Sequence, residues 1–178
     1  MILLDDCDVA VAGGSESMSR APYWLPSARF GANMGDGSMV DSLTGVLTCP
    51  IGDVHMGVTA ENVASEYELS RETQDKFALE SHQRAAKAIE NGVFKEQILP
   101  VEVKHGRSTR MFDTDEHVRA DVSMESLTKL RAVFKKEGTV TAGNASGIND
   151  GAAALVLMDK EEAARRGVKP LAQLVSYG

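Results

Sequence analysis

The sequence predicts an α/β fold in which a large, strand-poor insertion separates two sheet elements. A Val- and Ala-rich run over residues 8–12 meets Gly13-Gly14, as a central strand does on entering a tight turn. Far along the chain, Ala153 opens a second apolar run through Met158, with the length and composition of a strand. Between them, residues 15–139 carry helical periodicities and loops but few strand patterns.

In chain order, residues 15–50 are rich in Gly, Pro, Ser and Met, and "APYWLPSARFGANMG" sets Tyr23, Trp24, Leu25 and Phe30 in an irregular segment. Such a loop either packs on its own domain or forms a subunit contact, where aromatic residues and Met are enriched. Thr59 reads as the N-cap of a helix over residues 60–67. Ser70 caps a longer helix to about residue 91, with Glu72 and Asp75 at its positive end and Gly92 placed to stop it. Within it, Phe77, Ser81, Ala85 and Ala88 recur at helical spacing and predict a packing face. Residues 98–103 alternate as a strand, and residues 126–134 predict a helix with Leu127, Leu130 and Phe134 on one face. A helix over residues 160–166, closed by Gly167, and a strand over residues 171–177 complete the reading.

At 178 residues the chain suffices for one domain, or for one domain and part of another. Its 43% hydrophobic and 25% charged residues are ordinary for a soluble globular protein. A net charge of −7 argues against a broad nucleic-acid or acidic-membrane surface and leaves room for a small anionic ligand held by local donors. No apolar run is long enough to cross a bilayer, and "MILL" is followed at once by Asp5 and Asp6, unlike a signal peptide. Two cysteines make no disulfide framework, so a reducing, cytoplasmic setting is expected. Cys7, Cys49, His55 and His82 lack metal-ligand spacing, and "GGSESMS" lacks the lysine of a phosphate-binding loop. The abrupt opening and the abrupt "LVSYG" close predict a chain cut from a longer parent on both sides.

Three segments resemble the thiolase family, in the family's order and with matching spacing. They are "VAGGSESMSRAPY" (residues 11–23), "HMGVTAENVA" (residues 55–64) and "GTVTAGNASGINDGAAA" (residues 138–154). That family contains acetyl-CoA acetyltransferases and 3-ketoacyl-CoA thiolases. The resemblance implies a thiolase-like α/β fold of two similar five-layered halves, with a loop domain inserted into the first half and covering coenzyme A. Residues 1–17 then end part of the first half, and residues 18–147 form the CoA-binding loop domain. Residues 148–170 return to the first half, and residues 171–178 begin the second.

The same resemblance implies a site. Ala142, Ser146 and Gly147 belong to a wall of the pantetheine tunnel, where small residues let a thin chain pass, Ser146 offering a hydroxyl and Gly147 a close backbone approach. His55 and Met56 line its acyl and pantetheine end in a contact role, and Phe134 packs against pantetheine. Arg119 lays its guanidinium against the adenine, a role suited to its planar cation, and Leu47 and Ser126 match further tunnel-side positions. Asn149 and Asp150 are expected to cap or bond the turn that follows them. Each has a plainer alternative: a Gly-rich turn, a structural histidine, a core Phe, a solvated Arg. Lys104 to Arg110 ("KHGRSTR") reads as a solvated basic loop, with contact to CoA phosphates as the lesser reading.

No catalytic residue is expected in this chain. The family's Cys-x-Ser-Gly nucleophile segment and its Asn-Glu, Gly-His-Pro and Cys-x-Gly-Gly segments do not occur in it. Cys7 reads as an inert strand thiol, and Cys49 has no recognisable base beside it. The expectation is therefore a thiolase-type acyltransferase represented by its CoA-binding middle portion and inactive alone. Acetyl-CoA or acyl-CoA would serve as substrate with no separate cofactor or metal, in a parent that forms a homo-oligomer. The competing reading is a stand-alone CoA- or acyl-CoA-binding module, or an inactive remnant. A ketoacyl synthase acting on carrier proteins fits less well, because the loop-domain segments match thiolases.

Overall fold

The computed structural model describes residues 1–177; Gly178, the last residue of the expected closing segment, lies outside them. Its elements are β1 (Val9–Ser17), β2 (Tyr23–Trp24), β3 (Val40–Asp41), α1 (Ser42–Val46), β4 (Thr48–Cys49), β5 (Val54–His55) and α2 (Met56–Glu66). There follow α3 (Arg71–Glu90), β6 (Val101–His105), β7 (Ser108–Phe112), α4 (Met124–Thr128), β8 (Asp150–Met158) and α5 (Lys160–Arg165). They fall into two compact units, Met1–Arg20 with Asn149–Gly178, and Ala21–Ile148.

The first unit is an antiparallel pair plus one helix. β1 runs against β8 from Val9↔Met158 to Ser17↔Asp150, so both predicted strands are longer than their apolar cores. The expected turn at Gly13-Gly14 is instead strand interior. There the glycines face Ala154 and Ala153, and a Cβ on Gly13 would meet the Ala153 carbonyl at 2.6 Å. Asp150 does not cap the turn that follows it. It opens β8, and its carboxylate accepts the Ser19 N–H and hydroxyl at 2.9 and 2.6 Å. Side chains along the pair are exposed, Val11 at 74% and Leu155 at 67%, where a buried central strand was expected. α5 starts where Asp159 accepts the N–H groups of Glu161 and Glu162, and Glu162 is paired with Arg165 and Arg166. Residues 171–177 run without any strand partner, so the strand expected there does not form among the described residues.

The second unit is built on α2 and α3. α2 begins four residues before the predicted start, because its N-cap is His55 and not Thr59. Ser70 caps α3 as expected, its side chain accepting from the Thr73 N–H, and Gly92 follows the helix end with φ +68°. Phe77, placed on the packing face by its spacing, is 75% exposed. The strand predicted over residues 98–103 forms over Val101–His105, and the basic run beyond it turns back as β7. The helix predicted over residues 126–134 stops at Thr128. Beyond it, Ala132 bridges Thr141, and the Val133 N–H donates to the Val140 carbonyl at 3.0 Å. Arg71 donates to the Leu127 and Leu130 carbonyls at 2.6 and 3.1 Å, supplying partners at this helix end. Ala64, Leu127 and Val140 are the buried apolar side chains of this unit, joined by the buried polar Ser42, Glu61, Asp75 and Thr141.

Candidate functional site

The residues expected at the acyl and pantetheine end come together around the start of α2. β4 and β5 pair Thr48 with His55, and the Met56 N–H donates to the Leu47 carbonyl at 2.8 Å. Leu47, His55 and Met56 are thereby neighbours by backbone geometry alone. His55 Nδ1 accepts the Gly57 N–H at 3.0 Å, which satisfies one of the free donors of the helix start. An accepting Nδ1 puts the proton of the neutral ring on Nε2. The imidazole stacks on Phe134, with ring centroids 4.8 Å apart and planes 25° from parallel. Gly57 is required by this approach, because a Cβ there would overlap the Phe134 ring.

Ala142, Ser146 and Gly147 lie beyond Thr141, in a segment of small side chains that cannot anchor itself by apolar packing. Its start is wrapped on itself: the Thr141 N–H donates to Asn144 Oδ1 at 2.7 Å, and the Gly143 N–H donates to Thr141 Oγ1 at 3.1 Å. Ser146 is exposed and Gly147 half-buried. Two carboxylates hold this segment from outside. Glu61, on α2, accepts the Thr139 N–H at 2.9 Å on both oxygens, the Thr139 hydroxyl at 3.0 Å and the Val140 N–H at 2.8 Å. Asp75, on α3, accepts from Arg71 Nε at 2.7 Å and from Asn144 Nδ2 at 2.9 Å. Asn144 Nδ2 also donates to the Thr139 carbonyl at 3.0 Å, and Gln74 Nε2 donates to the Thr139 hydroxyl at 2.9 Å. Burial pushes the Glu61 carboxyl up. The Thr139 and Val140 N–H groups, the Thr139 hydroxyl and the Lys135 charge outweigh it and hold the group below the usual carboxylate value.

Sequence reasoning missed Glu61 and Asp75 as part of the site. A signal was present in "HMGVTAENVA": Glu61 is spaced three residues from Val58 and from Ala64, on the face that packs. From sequence alone, Asp75 is only a charge near a helix start.

The other expected positions lie apart from this cluster. Ser126 spends its hydroxyl on the start of α4, donating to the Ser123 carbonyl at 2.8 Å and accepting the Ser123 N–H at 3.1 Å. Arg119 is exposed, and its N–H donates to His82 Nδ1 at 3.2 Å, beside the His117 ring at 5.9 Å. Cys49 Sγ accepts the Gly52 N–H at 3.5 Å, and the backbone N–H groups of Gly52 and Ile51 hold its thiol below the ordinary value. A cavity lined by Ile89, Phe94, Lys95, Ile98, Pro100 and Asp115 contains none of the expected residues. No cluster of three metal-ligating side chains occurs among the described residues.

Known proteins place the chain. The family described as thiolase, N-terminal domain, matches residues 1–161. Beta-ketothiolase BktB of Cupriavidus necator is 62% identical over 99% of this chain and 45% of its own length. An acetyl-CoA acetyltransferase of Chromobacterium violaceum is 50% identical over the same shares. Among solved structures, the acetyl-CoA acetyltransferase of Bacillus anthracis matches with TM-score 0.89 and 48% identity, over 96% of this chain and 43% of that one. Human mitochondrial 3-ketoacyl-CoA thiolase in complex with CoA matches with TM-score 0.86 and 43% identity, over 96% of this chain and 42% of that one. The chain thus spans less than half the length of these relatives. With a family match over most of its residues and a thiolase fold to go with it, the chain belongs to the thiolase family.

Proposed function

We propose that the chain is the CoA-binding portion of a thiolase-type acyltransferase, an acetyl-CoA C-acetyltransferase or 3-ketoacyl-CoA thiolase. Such an enzyme condenses two acetyl-CoA, or an acyl-CoA with acetyl-CoA, and runs thiolysis in reverse. One observation carries the assignment to these residues. The His55–Phe134 stack and the small-residue segment after Thr141 are tied together through Glu61, which sits on the helix His55 caps. That arrangement gives a thin ligand a flat apolar side, an Nε2–H donor and a wall without bulky side chains. Similarity to a thiolase solved with CoA supports the same ligand.

In this reading Leu47, His55, Met56 and Phe134 meet the pantetheine arm, Ala142, Ser146 and Gly147 form its wall, and Arg119 meets the adenine. Ser126 belongs to the same side, through the helix start it holds. Residues 18–147 act as the loop domain, residues 1–17 and 148–170 belong to the first half, and residues 171–178 begin the second. Acyl transfer needs an activated nucleophile with an oxyanion site. Neither Cys7 nor Cys49 stands in a Cys-x-Ser-Gly segment, so binding, and not turnover, is assigned to this chain. A cytoplasmic homo-oligomer using CoA thioesters without a further cofactor completes the proposal.

The test is thermal unfolding of the purified chain with and without CoA, because a ligand that binds the native state raises its midpoint. Ser146→Trp should abolish the CoA-dependent rise, while Lys169→Ala should keep it. Equal responses in both variants would remove Ser146 from the wall, and thiolysis of acetoacetyl-CoA by the chain alone would overturn the division between binding and turnover.

A further inference from the structure

Two buried carboxylates serve a segment that has almost no side chains of its own. Glu61 is 4% exposed and Asp75 fully buried, and each comes from a different helix. Burying a charge is costly, and an apolar side chain would fill the same volume at less expense. A carboxylate does what an apolar group cannot, which is to fix the direction of specific N–H groups. Ala142, Gly143, Ala145, Ser146 and Gly147 offer little surface to pack. Their register must therefore be set by the backbone that leads into them.

The geometry points to Glu61 as a positioning residue that sets where the segment from Thr139 to Gly147 lies against α2, and so shapes the pantetheine wall. The inference rests on the CoA reading above. Glu61 lies six residues after His55, on the helix His55 caps, and Val140 lies six residues after Phe134. The His55–Phe134 stack and the Glu61–Val140 bond are thus two clamps between the same pair of segments, one apolar and one charged. Lys135 Nζ, donating to Asn62 Oδ1 at 2.9 Å, adds a third point between them. Gly138 leaves room for the Glu61 carboxylate, which a Cβ there would overlap. Asp75 holds the far side through Asn144, whose amide also grips the Thr139 carbonyl, so Thr139 is fixed from two helices at once.

Glu61→Gln keeps the side-chain volume and turns one acceptor into a donor that faces N–H groups. Amide hydrogen exchange and CoA titration calorimetry on the full chain, well below each variant's unfolding midpoint, test the idea together. Amides of residues 139–147 should exchange about tenfold faster while those of α3 stay protected, and the CoA dissociation constant should rise about tenfold. Thr139→Val deletes the hydroxyl that donates to Glu61 and accepts from Gln74, keeps both N–H bonds to Glu61, and carries the test if Glu61→Gln does not fold. It should give the same pattern at about threefold. Loosening that spreads through α2 and α3, or a loosened segment with unchanged CoA affinity, would overturn the proposal. If the unaltered chain binds no CoA, the CoA reading falls, and the shaping of a CoA wall with it; exchange at residues 139–147 then decides whether Glu61 moors the segment.

Discussion

His55 performs two tasks with two nitrogens, and substitution can separate them. Asn is a strong N-cap whose Oδ1 can take over the acceptor role of Nδ1, but it has no ring to stack and no Nε2–H. His55→Asn should therefore leave the unfolding midpoint close to that of the parent, whereas His55→Ala should cost about 1 kcal/mol of stability through the lost cap. Thermal denaturation of the two side by side checks this, and equal losses would show that the stack on Phe134 matters more than the cap. Gly57→Ala forces a methyl into the Phe134 ring and should destabilise by about 1–3 kcal/mol, read by urea unfolding. Acid acts through Glu61. Its carboxyl is held below the usual value when folded, so its stabilising contribution is complete above the unfolded-state pKa and is lost as pH falls through the lower folded one. Unfolding midpoints measured from neutral pH downward should fall less steeply in Glu61→Gln than in the parent. A single sequence names such residues only when their partners are local. The Ser70 cap was legible because Thr73 lies three residues away, while Glu61 meets Thr139 across 78 residues and nothing in its helix announces that partner.

α3 joins α4 through Arg71, which binds Asp75 on its own helix and two carbonyls at the α4 end. Removing the guanidinium leaves a buried carboxylate with only the Asn144 amide as partner. Arg71→Ala should therefore cost about 3–5 kcal/mol, while the exposed pair Lys76–Glu72 should be worth well under about 1 kcal/mol when Lys76 is replaced by Ala. Chemical denaturation of both variants checks the contrast. The same element explains where helix prediction overran. Leu127, Leu130 and Phe134 have helical spacing, yet Arg71 takes the carbonyls of Leu127 and Leu130, and residues 132–133 pair with residues 140–141. Tertiary hydrogen bonds overrode a local periodicity. The hairpin of β6 and β7 was half legible, since the alternation of β6 could be read while its basic return strand looked like loop. Resemblance to thiolases brought His55, Phe134 and the segment after Thr141 into view, and composition or spacing alone would have left them as a helix start, a core Phe and a turn.

Across the whole molecule, strands were expected at both ends of the chain with an insertion between them, and β1 and β8 pair as one antiparallel ladder. Their depth of burial was misjudged because an apolar run records only a preference for cover, not its presence; Val11 and Leu155 stay exposed along the pair. The Ser19–Asp150 bond that closes the ladder spans 131 residues of sequence. Bringing such distant ends together carries a loop-closure penalty of roughly 4 kcal/mol for a flexible chain. During synthesis β1 leaves the ribosome before any residue of β8 has been made, and at about 5–20 residues per second it waits several seconds for its partner. Through that interval the edge of this nine-residue Val-, Ala- and Gly-rich strand that β8 will cover stays open, and a strand edge with free N–H and C=O groups is where a nascent chain is most exposed to wrong pairing.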